Sequence, residues 1–294
     1  MGKGGSMRFT DFRLPTDLAD ASKRLKELGS DGFLLAGGTS LVFQQGKAAR
    51  VAVDLGRSGL EGIEDMSDGF KIGAMTRIAD LQEYRGGRGW VLDRVARLFA
   101  TQQIRNMATL GGSIVWVTPW ADFPVALLAL DSEMLIRGSS ERVVPRAEFF
   151  SSQPNRLFRD GDILASVRVK RLAPNSGFGY RKTTRTHGDF SAATAAAAIE
   201  LDGKVIKRVR VAVGAALPFP KRLTEVEKLL AGKALTRDGL GENAFLKMVT
   251  EGTKDFEWKG RQGMSDEYAG RLAVVAARDA IAEAAMQALG AREA

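Results

Sequence analysis

The chain has 294 residues, 45% of them hydrophobic, with 43 Lys and Arg against 35 Asp and Glu, a formal charge of +8, no cysteine and one histidine. The missing thiols exclude disulfides, a cysteine nucleophile and any iron–sulfur cluster held by this chain's own residues, and the lone His187 leaves no histidine set for zinc. That length buries a sizeable core in one large domain or two to three compact units. No apolar run of about 18 residues and no signal-peptide pattern is present, so the expected location is cytoplasmic.

In chain order, Met1 to Ser6 reads as an added leader or extension ahead of a start at Met7. Thr16 is the expected N-cap of a short amphipathic helix in which Leu18, Ala21, Leu25 and Leu28 recur at helical spacing until Gly29 stops it. Phe33-Leu34-Leu35 and Arg50 to Leu55 are compact apolar runs of buried-strand type, so 7–58 is predicted as a small α/β unit.

The next stretch, 59–172, reads as an α+β unit. It holds a strand at Gly69 to Ala74 and helices near Ile78 to Tyr84 and Val91 to Ala100, separated by Gly86-Gly87-Arg88-Gly89. A continuous apolar run at Val125 to Leu130 precedes strands at Glu133 to Arg137 and Ile163 to Lys170. Ala173-Pro174-Asn175-Ser176-Gly177 reads as a linker-like break. The last stretch, 173–294, is predicted to form a three-stranded antiparallel sheet from Phe178 to Lys182, Thr194 to Leu201 and Val205 to Gly214, the last two joined at Asp202-Gly203. Helices at Arg222 to Leu230, Glu242 to Glu251 and Asp266 to Leu289 follow.

Two glycine pairs stand out. Leu34-Leu35-Ala36-Gly37-Gly38-Thr39-Ser40-Leu41 leaves a predicted buried strand, and Thr109-Leu110-Gly111-Gly112-Ser113 follows Gln103-Ile104-Arg105-Asn106-Met107-Ala108. A pyrophosphate crowds anionic oxygens into a small volume, and paired glycines let main-chain N–H groups approach it with no side chain in the way. Two such loops suit one flavin dinucleotide, whereas a single one also fits an ordinary turn that needs small residues. Downstream, Asp122 offers a carboxylate acceptor for ribose or ribityl hydroxyls, or a cap for a helix beginning near Phe123-Pro124. Around His187, Arg185-Thr186-His187-Gly188-Asp189 contains no G-x-S-x-G nucleophile elbow.

With their flanking residues the two loops resemble the FAD-binding medium subunit of molybdenum hydroxylases, the family of xanthine dehydrogenase and carbon monoxide dehydrogenase. The similarity runs from about Arg8 to Leu289. It implies that Leu34, Leu35, Ala36, Gly37, Gly38, Thr39, Ser40 and Leu41 clamp the pyrophosphate together with Thr109, Leu110, Gly111, Gly112 and Ser113. It also implies cofactor contacts at Phe99, ten residues before Thr109, and at Asp122, and a flavin-lining strand position at Leu164. Lys182 matches a position that touches the flavin, where an ammonium would stabilise the negative charge that reduction places there. Asp189 matches an acidic position near the ring and Phe190 an aromatic one beside it. Lys182 also reads as a solvated strand lysine, Phe99 as a core helix residue, and Asp189 and Phe190 as turn and core residues. Three residues depart from the family pattern: Ser113 replaces a common asparagine, and Trp116 and Trp120 stand where small or polar residues are frequent. The stretch between Leu41 and Asp54 looks shorter than usual.

The fold this implies is α+β: a two-part FAD-binding domain of the vanillyl-alcohol-oxidase (PCMH-like) type, with a small α/β unit and a larger α+β unit, followed by a C-terminal domain of a three-stranded antiparallel sheet and helices. The resemblance implies noncovalent FAD, with Lys182 and Asp189 acting on its chemistry. It further implies a molybdopterin cofactor on a large partner subunit, [2Fe-2S] clusters on a small one, an external electron acceptor, and a heterotrimer. Two rival readings are a self-sufficient FAD-dependent oxidoreductase of the same fold, and an anion- or nucleic-acid-binding module suggested by the positive charge. Basic and acidic residues are interspersed without a long basic block, which favours a mixed solvated surface over a nucleic-acid groove.

Overall fold

The computed structural model describes residues 9–41, 50–87, 89–235, 242–261 and 263–290. Met1 to Ser6, most of the stretch between Leu41 and Asp54, and Arg88 lie outside them. In chain order the first half comprises β1 (Phe9–Arg13), α1 (Leu18–Leu28), β2 (Gly32–Leu35), β3 (Arg50–Asp54), β4 (Ile63–Met66), β5 (Gly69–Gly73), α2 (Ile78–Glu83), α3 (Leu92–Leu98), α4 (Gln102–Arg105), α5 (Leu110–Val115) and α6 (Asp122–Ala129). The second half comprises β6 (Ser132–Arg137), β7 (Glu141–Pro145), α7 (Arg146–Phe149), β8 (Ile163–Lys170), β9 (Ser176–Thr183), β10 (Ala193–Asp202), β11 (Val205–Gly214), β12 (Lys221–Arg222), α8 (Thr224–Leu230), α9 (Glu242–Gly252) and α10 (Asp266–Ala288).

Contacts group these elements into two compact units that interleave along the chain. Unit 1 is Met1–Leu81, Thr101–Trp116 and Glu133–Val169; unit 2 is Gln82–Ala100, Val117–Ser132 and Lys170–Ala294. Each of the three stretches marked off in the sequence carries a sheet of its own, ordered β1-β3-β2, β4-β5-β8-β6-β7 and β12-β11-β10-β9.

In unit 1, β1 and β2 both pair in parallel with β3, and α1 supplies the crossover from β1 to β2, which flank β3 on either side. The α1 cap is Asp17 rather than Thr16: its carboxylate accepts from Asp20 N at 2.8 Å, while Thr16 N donates back to the Asp20 carboxylate at 3.1 Å. Gly29 ends the helix with φ 52°, as the spacing predicts. Ala21 of α1, Val53 and Leu55 at β3, Met75, and Ile163 and Ala165 of β8 close one core cluster. Strand alternation turns the buried Leu164 to the opposite face.

Unit 2 is organised by the two faces of β9 and β10. Gly177, Gly179 and Arg181 of β9 pair with Ile199, Ala197 and Ala195, and this odd-numbered face meets α10. A Cβ on Gly177 or Gly179 would overlap the carbonyl oxygen of Ala284 or Ala280, so these glycines let the helix backbone rest directly on the strand. Ser176 and Gly177 therefore belong to β9 rather than to a linker. The even-numbered face carries Phe178, Tyr180 and Lys182 opposite Ala198, Ala196 and Thr194, and α6 packs on this sheet at β10 and β11.

Every residue of α6 is buried, which makes the apolar run at Val125 to Leu130 a central helix. A short run of that kind has no amphipathic period by which sequence could tell helix from strand. The C-terminal sheet has a fourth strand beyond the three expected. Lys221 and Arg222 pair with Val213 and Ala212, so the predicted helix at Arg222 begins only at Thr224.

Candidate functional site

The first glycine loop leaves β2 at Leu35, which pairs with Asp54 as Leu34 does with Val53. Gly37 lies so close to the chain ahead of the second loop that a Cβ there would overlap Met107 O. Gly38 holds φ +69°, a left-handed conformation that glycine adopts without strain, and its carbonyl accepts from Leu41 N at 3.2 Å. Among the described residues, the N–H groups of Gly37, Gly38, Thr39 and Ser40 and the hydroxyls of Thr39 and Ser40 make no hydrogen bond. Main-chain donors left in this way accept an anionic ligand at no loss of internal bonding.

The second loop is built differently. Thr109 caps α5, its Oγ1 accepting from Gly112 N at 3.1 Å. Leu110 N donates to Thr76 O at 2.9 Å, Gly111 N to Ala74 O at 2.8 Å and Ser113 N to Thr109 O at 3.1 Å, while Ser113 Oγ donates to Leu110 O at 2.7 Å. Each N–H from Leu110 to Ser113 is thus committed within unit 1, in contrast to those of 37–40, which have no partner among the described residues. Gly111 is buried, and a Cβ on it would stand 2.8 Å from Ala74 O; Gly112 is exposed, its Cβ position 3.0 Å from Thr109 Oγ1 and 3.9 Å from Ala36. In each pair one glycine lets two backbones touch, Gly37 or Gly111, and the other, Gly38 or Gly112, faces side-chain atoms only.

Unit 2 gathers two residues expected to act separately. Lys182 Nζ donates to Asp122 Oδ2 at 3.0 Å and to Leu98 O, at the end of α3, at 3.1 Å. Tyr180 hydroxyl donates to Asp122 Oδ1 at 2.6 Å. Both side chains of the ion pair are only 5% exposed, so Lys182 is not the solvated strand lysine that its sequence alone allows. Burial lifts the Asp122 carboxyl above its usual range, opposed by the Lys182 charge and the Tyr180 hydroxyl, and burial beside Asp122 lifts the Tyr180 phenol well above its own. Each Asp122 oxygen already serves a partner in its own unit, and the residue sits in the first turn of α6 without capping it. Holding Lys182 does not use up its acceptor capacity, since each carboxylate oxygen can accept a second hydrogen bond.

The remaining expected residues fall into distinct settings. Phe99 packs on Phe123 with ring centroids 5.8 Å apart. Asp189 accepts from Phe190 N at 2.8 Å and pairs with Arg185 at 3.5 Å, as a turn carboxylate does. Phe190 is exposed rather than in the core and lies against Trp120, centroids 4.8 Å apart, while Trp116 is also exposed. Leu164 is buried in β8.

Sequence reasoning missed Tyr180 as a site residue, although period-2 alternation from Lys182 places it on the same strand face. It also missed Glu283, fully buried on α10, which pairs with both Arg94 and Arg181 and accepts from Tyr180 N at 3.2 Å. No local signal joins residues about a hundred positions apart.

Residues 7–171 match the family model for the FAD binding domain in molybdopterin dehydrogenase, and residues 178–284 match that for the CO dehydrogenase flavoprotein C-terminal domain. The chain belongs to this family. The carbon monoxide dehydrogenase medium chain of Hydrogenophaga pseudoflava is 30% identical over 240 residues, 78% of this chain and 83% of that one. The 6-hydroxypseudooxynicotine dehydrogenase complex subunit alpha of Paenarthrobacter nicotinovorans is 31% identical over 236 residues, 77% of this chain and 79% of that one. Reconstituted CO dehydrogenase from Oligotropha carboxidovorans contains a chain that superposes with TM-score 0.85 at 27% identity, covering 97% of this chain and 99% of that one.

The chain is therefore a flavoprotein of the molybdopterin-dependent oxidoreductases, with the two-part FAD-binding domain and sheet-and-helix C-terminal domain of that fold. The residues present suit the cofactor. Loop 1 presents consecutive N–H groups and two hydroxyls that have no partner among the described residues, and positions 38 and 112 carry no side chain. Among the described residues no helix is long and apolar enough to cross a membrane, and no cluster of His, Cys, Asp or Glu could hold a metal ion.

Proposed function

We propose that the chain binds FAD noncovalently and serves as the flavin-bearing medium subunit of a molybdenum hydroxylase. In that assembly it would receive electrons from [2Fe-2S] clusters on a small subunit and pass them to an external acceptor. Substrate oxidation would take place at a molybdopterin cofactor on a large subunit, and the complex would be cytoplasmic. The observation that carries this reading is the first glycine loop, whose donors have no partner among the described residues and stand against a second glycine loop within the family's FAD-binding domain. The absence of cysteine supports the division of labour, because this chain has no thiolates for iron–sulfur clusters.

Bound FAD supplies storage for two electrons between one-electron carriers and the acceptor. The chain's own residues do the rest. The N–H groups of 37–40 would hold the pyrophosphate, Gly38 and Gly112 would admit it, and the second loop would brace the first through Met107. Lys182 would offer a fixed positive charge for the reduced ring, with Phe99, Leu164, Asp189 and Phe190 as further cofactor contacts proposed from the family resemblance.

An absorption spectrum of the native purified protein, with mass analysis of copurifying chains and of acid-released ligand, tests the proposal. Released FAD together with molybdopterin and iron–sulfur partner chains is the expected result. FAD without partners would favour a self-sufficient flavoenzyme, and no flavin even after reconstitution would overturn both readings.

A further inference from the structure

Tyr180 is 2% exposed, and its hydroxyl meets Asp122 at 2.6 Å, a length typical of an O–H donor on a charged oxygen. The other Asp122 oxygen takes Lys182, which also donates to Leu98 O. An ammonium has three N–H donors, so two are committed among the described residues and one is left. The neighbour across the sheet does not take it. Thr194, opposite Lys182 on β10, is fully buried, and its hydroxyl has no hydrogen-bond partner among the described residues.

We propose that Tyr180 is a positioning residue: by donating to Asp122 it fixes the carboxylate that fixes the Lys182 ammonium, leaving one N–H of Lys182 for the flavin. This rests on the reading that the chain binds FAD. A buried carboxylate keeps its charge only when donors replace the water it has lost, and Tyr180 and Lys182 are those donors here. Phenylalanine at 180 would keep the ring volume and leave one Asp122 oxygen unsatisfied. Asp122 would then take up a proton more readily and release its hold on Lys182, whose charge would stand uncompensated beside the cofactor.

The test uses the FAD-loaded full chain as wild type, Tyr180→Phe, Asp122→Asn and the double variant, compared by flavin occupancy and by redox titration. Tyr180→Phe is expected to keep its FAD and to shift the flavin potential upward. Asp122→Asn should shift it in the same direction, and adding Tyr180→Phe to Asp122→Asn should shift it no further, because Tyr180 acts through Asp122. An unchanged potential in FAD-loaded Tyr180→Phe, or an equal shift in the Asp122→Asn background, would overturn the proposal.

A carbon NMR titration of the Asp122 carboxyl in the wild-type full chain needs neither variant nor flavin. It should find a carboxylate at neutral pH, and a protonated group there would overturn the proposal. If the wild type takes up no FAD, the flavin reading falls, while this titration still decides whether Asp122 is held ionised.

Discussion

The two glycine loops look alike in sequence and are bonded differently in the structure. Loop 1 leaves its N–H groups from Gly37 to Ser40 without partners among the described residues, whereas loop 2 spends each of its own on Ala74, Thr76 and Thr109. Both contain one glycine for backbone contact and one whose Cβ position faces only side chains. A repeated small-residue motif is therefore not evidence of repeated ligand contact: one copy can present the donors while the other makes the support on which they rest. A further contrast separates loop 1, a row of neutral backbone dipoles, from the even face of β9, where a cation is held by a buried carboxylate.

The sharpest way to break this comparison is Gly37→Val. Its Cβ would overlap Met107 O, a backbone atom that cannot rotate away, so the loops would have to part at a loss of about 3 kcal/mol or more. Both the thermal midpoint and FAD content should fall, and a variant with wild-type midpoint would show that the close approach is not needed.

Gly111→Ala ranks next, with a Cβ 2.8 Å from Ala74 O in a buried site. The expected loss is about 1–3 kcal/mol in denaturant unfolding, with FAD affinity lowered only as far as stability is. Affinity lost without loss of stability would return Gly111 to direct ligand contact.

Gly38→Ala forces an L-residue to φ +69°, a strain of about 1–2 kcal/mol, in a place where the Cβ itself meets nothing closer than 3.8 Å. Flavin binding measured by fluorescence quenching should weaken beyond what the stability change explains.

The smallest stability effect belongs to Gly112→Ala. Crowding of the Thr109 cap costs up to about 1 kcal/mol, and the better helix propensity of alanine offsets a similar amount. Weaker FAD binding by a chain of near wild-type stability is expected there, and unchanged binding would remove Gly112 from the cradle.

Much of this is legible in the amino-acid order. The period of Leu18, Ala21, Leu25 and Leu28 and the stop at Gly29 gave α1, and apolar runs gave β3, β8, β10 and β11 within a residue or two. The edge strand β1, with its central residues exposed, and the two-residue β12 carry too weak a pattern to be read locally. Of the candidate site, the loops were visible as motifs, and Asp122 and Lys182 as single residues named by resemblance. Their pairing was not visible, because 60 residues separate them.

The sequence by itself determined the periodic elements, the glycine pairs, the family, and the absence of thiolates, since each of these lies in local order or composition. Only the tertiary structure decided which glycines touch a backbone and which loop keeps its donors. It also decided that Tyr180, Asp122 and Lys182 form one cluster and that Glu283 joins two arginines. The physical reason is that hydrogen-bond partners and close approaches are chosen across the packed chain: a glycine or a carboxylate has the same covalent structure whether its neighbour is solvent, Met107 O or a buried ammonium.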